Sequence, residues 1–302
     1  MPTIEQQLNS IHIEQNKYRR LYLELIQGSS VSLKPLHQFI FRSLHLEILA
    51  DIQYNFHLLE TIKYFYPYNT EAIFQLCPLI KDIRYFFITT STLDHITELE
   101  QKKNILIIAD GQLRGRGQYS RIWQSAIGRQ IQMTYGPFFY NKKLAPSLYL
   151  AYVVMKTLLF FAPNLPIAFK WPNDLYLHGK KIAGLLVTAS NQDVTISLGL
   201  NLTFDCLEFG SIWHSASFIT REEFIAHFIK NLHTVTEDQY EILLFLEKSN
   251  MYKQKDKIVF TYQNAAQTGS FLQLNMDGSC LIYTDHDKQS KIVRMGSISR
   301  SI

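Results

Sequence analysis

From about residue 83 onward the chain is a succession of short β-type runs separated by turns and broken by one long apolar stretch, which leaves few architectures open. The runs are Tyr85–Thr89, Ile105–Ala109, Ile131–Tyr135, Ile167–Phe169, Leu175–Leu177, Ile182–Val187 and Val194–Leu198. His178 and Gly179 fall between two of them at the spacing of a tight hairpin. Leu144–Phe161 is apolar enough to suggest a membrane span. Pro146 and Lys156 interrupt it, however, so its unbroken apolar runs fall far short of the about 20 residues a bilayer requires. It reads as a buried core helix. Thr220 and Glu223 have the spacing of a capping box ahead of Phe224, Ile225, Phe228, Ile229 and Leu232, which predicts a second, amphipathic helix. Residues 83–252 are therefore expected to form an α+β domain, a mixed sheet with helices packed on it.

The two ends differ from this middle. Residues 1–82 carry helix-like spacing, with Leu21, Leu23, Leu25 and Ile26 before Gly28 and then Leu44, Leu46, Ile48, Leu49 and Ile52, so a helical domain is predicted there. Its acidic and basic residues balance, and no face is basic enough to offset phosphate repulsion, which argues against DNA binding. The aromatics Tyr64, Phe65, Tyr66 and Tyr68 read as core, since no basic residues interleave with them. Residues 253–302 read as all-β, with runs at Ile258–Tyr262, Phe271–Leu274, Cys280–Tyr283 and Lys291–Arg294, and suggest a small barrel that leans on its neighbour.

With 47% hydrophobic and 19% charged residues the chain is neither disordered nor fibrous, and a net charge of +4 is too weak to indicate nucleic acid by itself. The three cysteines, Cys77, Cys206 and Cys280, lack metal-site spacing and fit a reducing compartment. Met1–Ser10 has no apolar signal-peptide core, so the expected location is the cytoplasm, without membrane attachment.

Three stretches carry chemistry. The run Ile105–Ile108 breaks into Gly111, Gln112, Leu113, Arg114, Gly115, Arg116, Gly117, Gln118, Tyr119, Ser120 and Arg121. Glycines admit close backbone approach to an anion, and arginines offer forked donors suited to phosphate or carboxylate. Lys170, Trp171, Pro172, Asn173 and Asp174 then precede a return strand that carries Lys180 and Lys181. Here a lysine supplies a point charge, and the Asp can bind magnesium or accept a proton. Ser197, Leu198, Gly199, Leu200 and Asn201 close a strand with an amide able to read an adenine edge beside a glycine that would admit a flat ring.

In this order and separation the three pieces resemble the biotin protein ligases. The family's Gly-Arg-Gly-Arg-x-Gly-Arg-x-Trp is matched by Gly115, Arg116, Gly117, Arg121 and Trp123, and its Lys-Trp-Pro-Asn-Asp is intact at 170–174. Its Lys-x-Ala-Gly appears as Lys181 to Gly184, its Gly-x-Gly-x-Asn partially as Ser197 to Asn201, and its Ser-Thr-Asn as Ser91, Thr92 and Leu93. The resemblance spans about residues 85–302 and implies a C-terminal SH3-like barrel ending near Met295–Ser299. It implies that biotin and MgATP give biotinyl-5′-AMP, from which biotin passes to a lysine of a biotin carboxyl carrier protein of a biotin-dependent carboxylase. By the same resemblance Lys181, Arg116 and Asp174 are catalytic, with Asp174 also the magnesium ligand. Ser91, Thr92, Gln112, Gly115, Arg116, Gly117, Trp123, Lys181 and Gly184 are expected to bind biotin. Arg116, Gln118, Arg121, Lys170, Asn173 and Asn201 are expected to bind the nucleotide. A homodimer is compatible with this reading.

The chain departs from the pattern at Gln118 and Ser120, usually Arg and Gly, at Ser197, usually Gly, and at Leu93, usually Asn. Losing the arginine predicts weaker retention of biotinyl-AMP, and Ser197 is expected to crowd the nucleotide strand. Alternatives are a bifunctional ligase and biotin-operon repressor, with residues 1–82 as a degenerate winged helix, a lipoate ligase on the related fold, and an impaired paralogue.

Overall fold

The computed structural model describes residues 68–99, 102–118, 121–126, 128–203, 209–212, 220–262, 265–294, 296 and 298–300. In chain order the first elements are α1 (Thr70–Leu76), β1 (Asp82–Thr89), a 3-10 helix (Thr92–Leu99), β2 (Ile105–Gln112), β3 (Gly115–Arg116), β4 (Ile122–Trp123) and β5 (Gln130–Phe139). There follow α2 (Pro146–Phe161), β6 (Ile167–Lys170), β7 (Asp174–Leu177), β8 (Lys180–Ser190), β9 (Asp193–Asn201), α3 (Arg221–Thr234) and α4 (Gln239–Lys248). Every β run expected between residues 83 and 252 is a strand, each longer than the run because flanking residues also pair.

Seven strands make one sheet in the order β1-β2-β5-β9-β8-β7-β6. Only β1 and β2 run parallel, joined by the short 3-10 helix, and the other neighbours are antiparallel. His178 and Gly179 both adopt positive φ, 49° and 78°, the two-residue primed turn that matches strand twist between β7 and β8. Strand alternation sorts the faces of the sheet. Ile131, Met133 and Tyr135 of β5 and Ile196, Leu198 and Leu200 of β9 join α2 and α3 in one continuous core. The intervening Gln130, Gln132 and Thr134 are also buried, on the opposite face.

The apolar stretch is the core helix α2, with Pro146 in its first turn, Leu148–Met155 continuously buried and Phe160 exposed near its end. Among the described residues no helix is long and apolar enough to cross a membrane. Thr220 completes the capping box, accepting from the Glu223 amide at 3.1 Å while the Glu223 carboxylate takes the Thr220 amide at 3.0 Å. Helix α4 was not anticipated, although Asp238 caps the Tyr240 amide at 2.8 Å and Ile242, Leu243 and Leu246 face the core.

The C-terminal part is a five-stranded antiparallel sheet of β10 (Lys257–Tyr262), β11 (Ala265–Leu274), β12 (Cys280–Thr284), β13 (Ser290–Val293) and β14 (Ile298–Arg300), in the order β13-β12-β11-β10-β14. Ile258, Phe260, Phe271 and Ile282 belong to the same core as the large sheet. Polar contacts tie it down as well: the Ala145 amide donates to Met276 O at 2.7 Å, and Trp171 Nε1 donates to Gly278 O at 2.8 Å. Most of the expected N-terminal helical segment, residues 1–67, lies outside the described residues, as do Tyr64, Phe65, Tyr66 and Cys206. Tyr68 is fully buried, in keeping with a core role.

Candidate active site

A cavity of about 350 Å³ opens on the sheet face away from the helices, within the usual size range of small-molecule sites. Ser91, Thr92, Gln112, Arg116, Gly117, Gln118, Arg121, Trp123, Lys170, Asn173, Asp174, Lys181 and Gly184 line it, so the three motif stretches meet in one place. Gly115 and Asn201 do not line it.

One end of the cavity is neutral. Gln112 Oε1 accepts from the Thr92 amide at 2.7 Å and Gln112 Nε2 donates to Gln132 Oε1 at 2.8 Å. Gln132 Nε2 reaches Ser125 Oγ at 2.7 Å, and Thr134 Oγ1 donates to Thr92 Oγ1 at 2.9 Å. These amides and hydroxyls are almost fully buried and satisfy one another, as buried polar groups must. Gln132, Thr134 and Ser125 were not among the expected site residues. Their signal was available in Gln130, Gln132 and Thr134, polar residues at every second position of an otherwise apolar strand.

The other end is cationic. Lys170 and Asp174 are register partners across the Trp171–Pro172–Asn173 turn, and Lys181 Nζ lies 2.6 Å from Asp174 Oδ1. Lys170 Nζ donates to the Tyr176 hydroxyl at 3.3 Å. Burial draws the Lys170 ammonium below the usual lysine range; Asp174 opposes this, while Lys181 and Arg121 add to it. Asn173 holds the turn, its Nδ2 donating to Leu185 O at 2.7 Å. The amide of Asn201 is likewise occupied. Its Oδ1 accepts from Gln130 at 2.8 Å and its Nδ2 donates to Gly210 O at 3.1 Å, so it braces strand ends behind the cavity.

Between the two ends lies Trp123, placed by the β3–β4 ribbon in which Gly115 pairs with Trp123 and Arg116 with Ile122. Its indole rests on two bare glycines: a Cβ on Gly199 would come within 2.5 Å of the ring, and one on Gly184 within 3.0 Å. Lys181 Nζ sits 5.6 Å from the ring centroid. A Cβ on Gly115 would meet the Trp123 carbonyl at 2.9 Å, and one on Gly117 the Arg121 carbonyl at 3.0 Å. The loop glycines thus serve close packing across the ribbon. Arg116 does not face Lys181 and Asp174; it forms an ion pair with Asp94 and remains 60% exposed.

Behind the neutral end is a charged cluster that the sequence reading missed. Asp110, fully buried, accepts from Arg221 Nη1 at 2.6 Å and from the Tyr85 hydroxyl, and the Arg221 guanidinium stacks 3.7 Å from the Tyr68 ring centroid. Burial pushes Asp110 up to about 6 against the pull of Arg221.

Known proteins resemble the part of the chain that carries this cavity. The model of the Biotin/lipoate A/B protein ligase family matches residues 85–203. The bifunctional ligase/repressor BirA of Escherichia coli is 32% identical over 127 residues, 38% of each chain. The biotin–[acetyl-CoA-carboxylase] ligase of Mycobacterium tuberculosis is 30% identical over 105 residues, 33% of this chain and 40% of that one. The match therefore spans about two fifths of the length of these relatives. Among solved structures, the biotin protein ligase from Aquifex aeolicus in complex with biotin and ATP shares the fold at a TM-score of 0.60 and 21% identity, over 74% of this chain and 100% of that one. Residues 85–203, which carry the loop ribbon, the Lys170–Asp174 turn and the glycine floor, are thus similar to the biotin/lipoate A/B protein ligase family.

Proposed function

We propose that the protein is an ATP-dependent biotin protein ligase. In the first step the biotin carboxylate attacks the α-phosphorus of ATP, pyrophosphate leaves and biotinyl-5′-AMP forms. In the second, a neutral lysine amine of a biotin carboxyl carrier protein attacks the acyl carbon and AMP leaves. The observation that carries this reading is the division of one cavity into a neutral hydrogen-bonding end and a cationic end, with Trp123 between them. A ureido ring needs neutral donors and acceptors, which Ser91, Thr92 and Gln112 supply, while a carboxylate meeting a phosphate needs positive charge. Lys181 holds both anions in reacting position and stabilises the charge that develops between them. Lys170, Arg121 and Gln118 face the phosphates, and Arg116 joins them when it leaves Asp94. Asn173 and Asn201 serve the nucleotide by holding the strands beneath it.

Magnesium fits this donor set in a limited way. Asp174 is the one carboxylate among the residues lining the cavity, and magnesium is commonly held by one or two carboxylates together with substrate phosphates. Asp174 would hold the ion, which would neutralise charge on the departing pyrophosphate. We read the five-stranded C-terminal sheet as an SH3-like barrel and the cytoplasm as the place of action.

The test is incubation of the full chain with biotin, MgATP and a carrier domain, followed by mass measurement of the carrier lysine. The mass gains one biotinyl group with the native chain, and the rate falls about 100- to 1000-fold with Lys181→Ala. A folded native chain that gives no mass gain overturns the assignment, and faster ATP–pyrophosphate exchange with lipoate than with biotin redirects it to the lipoate branch.

A further inference from the structure

The neutral end of the cavity contains a chain of hydroxyls whose proton order is set by its last member. The Thr92 backbone amide can only donate, so the Gln112 atom facing it at 2.7 Å is the carbonyl oxygen. That oxygen also takes the Thr92 hydroxyl proton at 3.2 Å. Thr92 Oγ1 is then left to accept from Thr134 Oγ1 at 2.9 Å. Thr134 has a single hydroxyl proton, already committed to Thr92, so its 2.8 Å contact with Ser197 Oγ carries the proton of Ser197. The direction Ser197→Thr134→Thr92→Gln112 follows. Ser197 is partly exposed, lines the cavity, and is the Cα register partner of Thr134. Its one proton points into the wall, and what it offers the cavity is lone pairs.

We propose that Ser197 is a specificity-determining residue whose hydroxyl oxygen accepts an N–H from the neutral head of the substrate. The proposal rests on the ligase reading, under which that head is a cyclic urea with two N–H groups. A head without N–H, such as the dithiolane of lipoate, would leave this acceptor without a donor, and polar sites discriminate strongly against analogues that leave their groups unpaired. The acceptor is a departure from the motif this stretch resembles, which has glycine at this position. Ser197 therefore serves recognition of the head rather than crowding the nucleotide.

Calorimetric titration of the full chain tests this, using biotin and the two cyclic carbamates in which one or the other ureido N–H is replaced by oxygen. Ser197→Gly and Ser197→Ala should each weaken biotin about three- to tenfold, the size of one net hydrogen bond. For one of the two carbamates they should leave affinity unchanged. Thr134→Val frees the Ser197 proton to turn outward, so it should weaken biotin in the native background and not further in the Ser197→Ala background. Native-like biotin affinity in both Ser197 variants, or an equal loss for biotin and both carbamates, overturns the proposal. Failure of the folded native chain to bind biotin at all overturns the ligase reading on which it stands.

Discussion

The two ends of the cavity are built on opposite plans. At the neutral end, Thr92, Gln112, Gln132 and Thr134 are at most 5% exposed and hold one another at hydrogen-bond distance, so their geometry exists before a ligand arrives. At the cationic end the charges of Lys170 and Lys181 sit at the tips of long side chains, against Tyr176 and Asp174, and on the loop nearby Arg116 is 60% exposed and occupied with Asp94. Preorganised hydrogen bonds select shape and donor pattern, whereas mobile charges attract any anion and are screened by salt. The difference suits the proposed ligation, in which the head must be one compound while the phosphates rearrange.

Striking the fixed end should have the largest effect. Asp110→Asn leaves the Arg221 charge buried without its partner, which should cost about 3–5 kcal/mol in urea unfolding, the usual penalty for breaking a buried pair. The Asp110 carbonyl also accepts from Gln132 Nε2 at 3.3 Å, so biotin affinity should fall with stability. A loss below 1 kcal/mol would show that the cluster is not what fixes this end.

Adding charge to the loose end should do less. Gln118→Arg restores a cation to the loop, and an exposed pair of this kind should slow biotinyl-AMP dissociation about two- to fivefold at low salt. The gain should shrink as ionic strength rises. An unchanged dissociation rate would mean that Gln118 does not touch the intermediate.

The smallest effect is a shift in pH response. Because burial holds the Lys170 ammonium below the ordinary lysine range, its charge is lost at a lower pH than that of an exposed lysine. The charged form favours an anionic ligand, so ATP affinity should decline as pH rises through that lowered value. Lys170→Arg, which keeps its charge, should flatten this alkaline decline in dissociation constants measured from about pH 7 to 10. An unaltered profile assigns the decline to another group.

Much of this molecule could be read from local pattern. The strands follow apolar runs, α2 follows a long, largely apolar stretch, and α3 begins at the capping box of Thr220. Most of the residues expected at the site line one cavity because three contiguous motifs converge there, and residues adjacent in sequence stay adjacent in space. What escaped depended on distant pairing. Asp110 and Arg221 are 111 residues apart, and nothing local to either predicts that one charge will bury the other. Asn201 shows a different limit. It shares a strand face with Ser197 and Gly199, yet the Gly210 and Lys181 carbonyls meet its amide at the strand end and turn it to bracing.

The hydrogen bond from Trp171 Nε1 to the Gly278 carbonyl has a consequence for the order in which the protein is made. Trp171 lies inside the turn that presents Lys170 and Asp174, and its partner is 107 residues downstream. On the ribosome, a nascent chain exposes the whole large sheet well before Gly278 emerges, so in that interval the turn lacks its anchor. Translation arrested before and after Gly278 leaves the tunnel should therefore yield chains that differ in ATP binding, and equal binding would show that the anchor is dispensable. Synthesis itself would then time when the site becomes competent, with delivery of the five-stranded sheet completing the turn that presents Lys170 and Asp174.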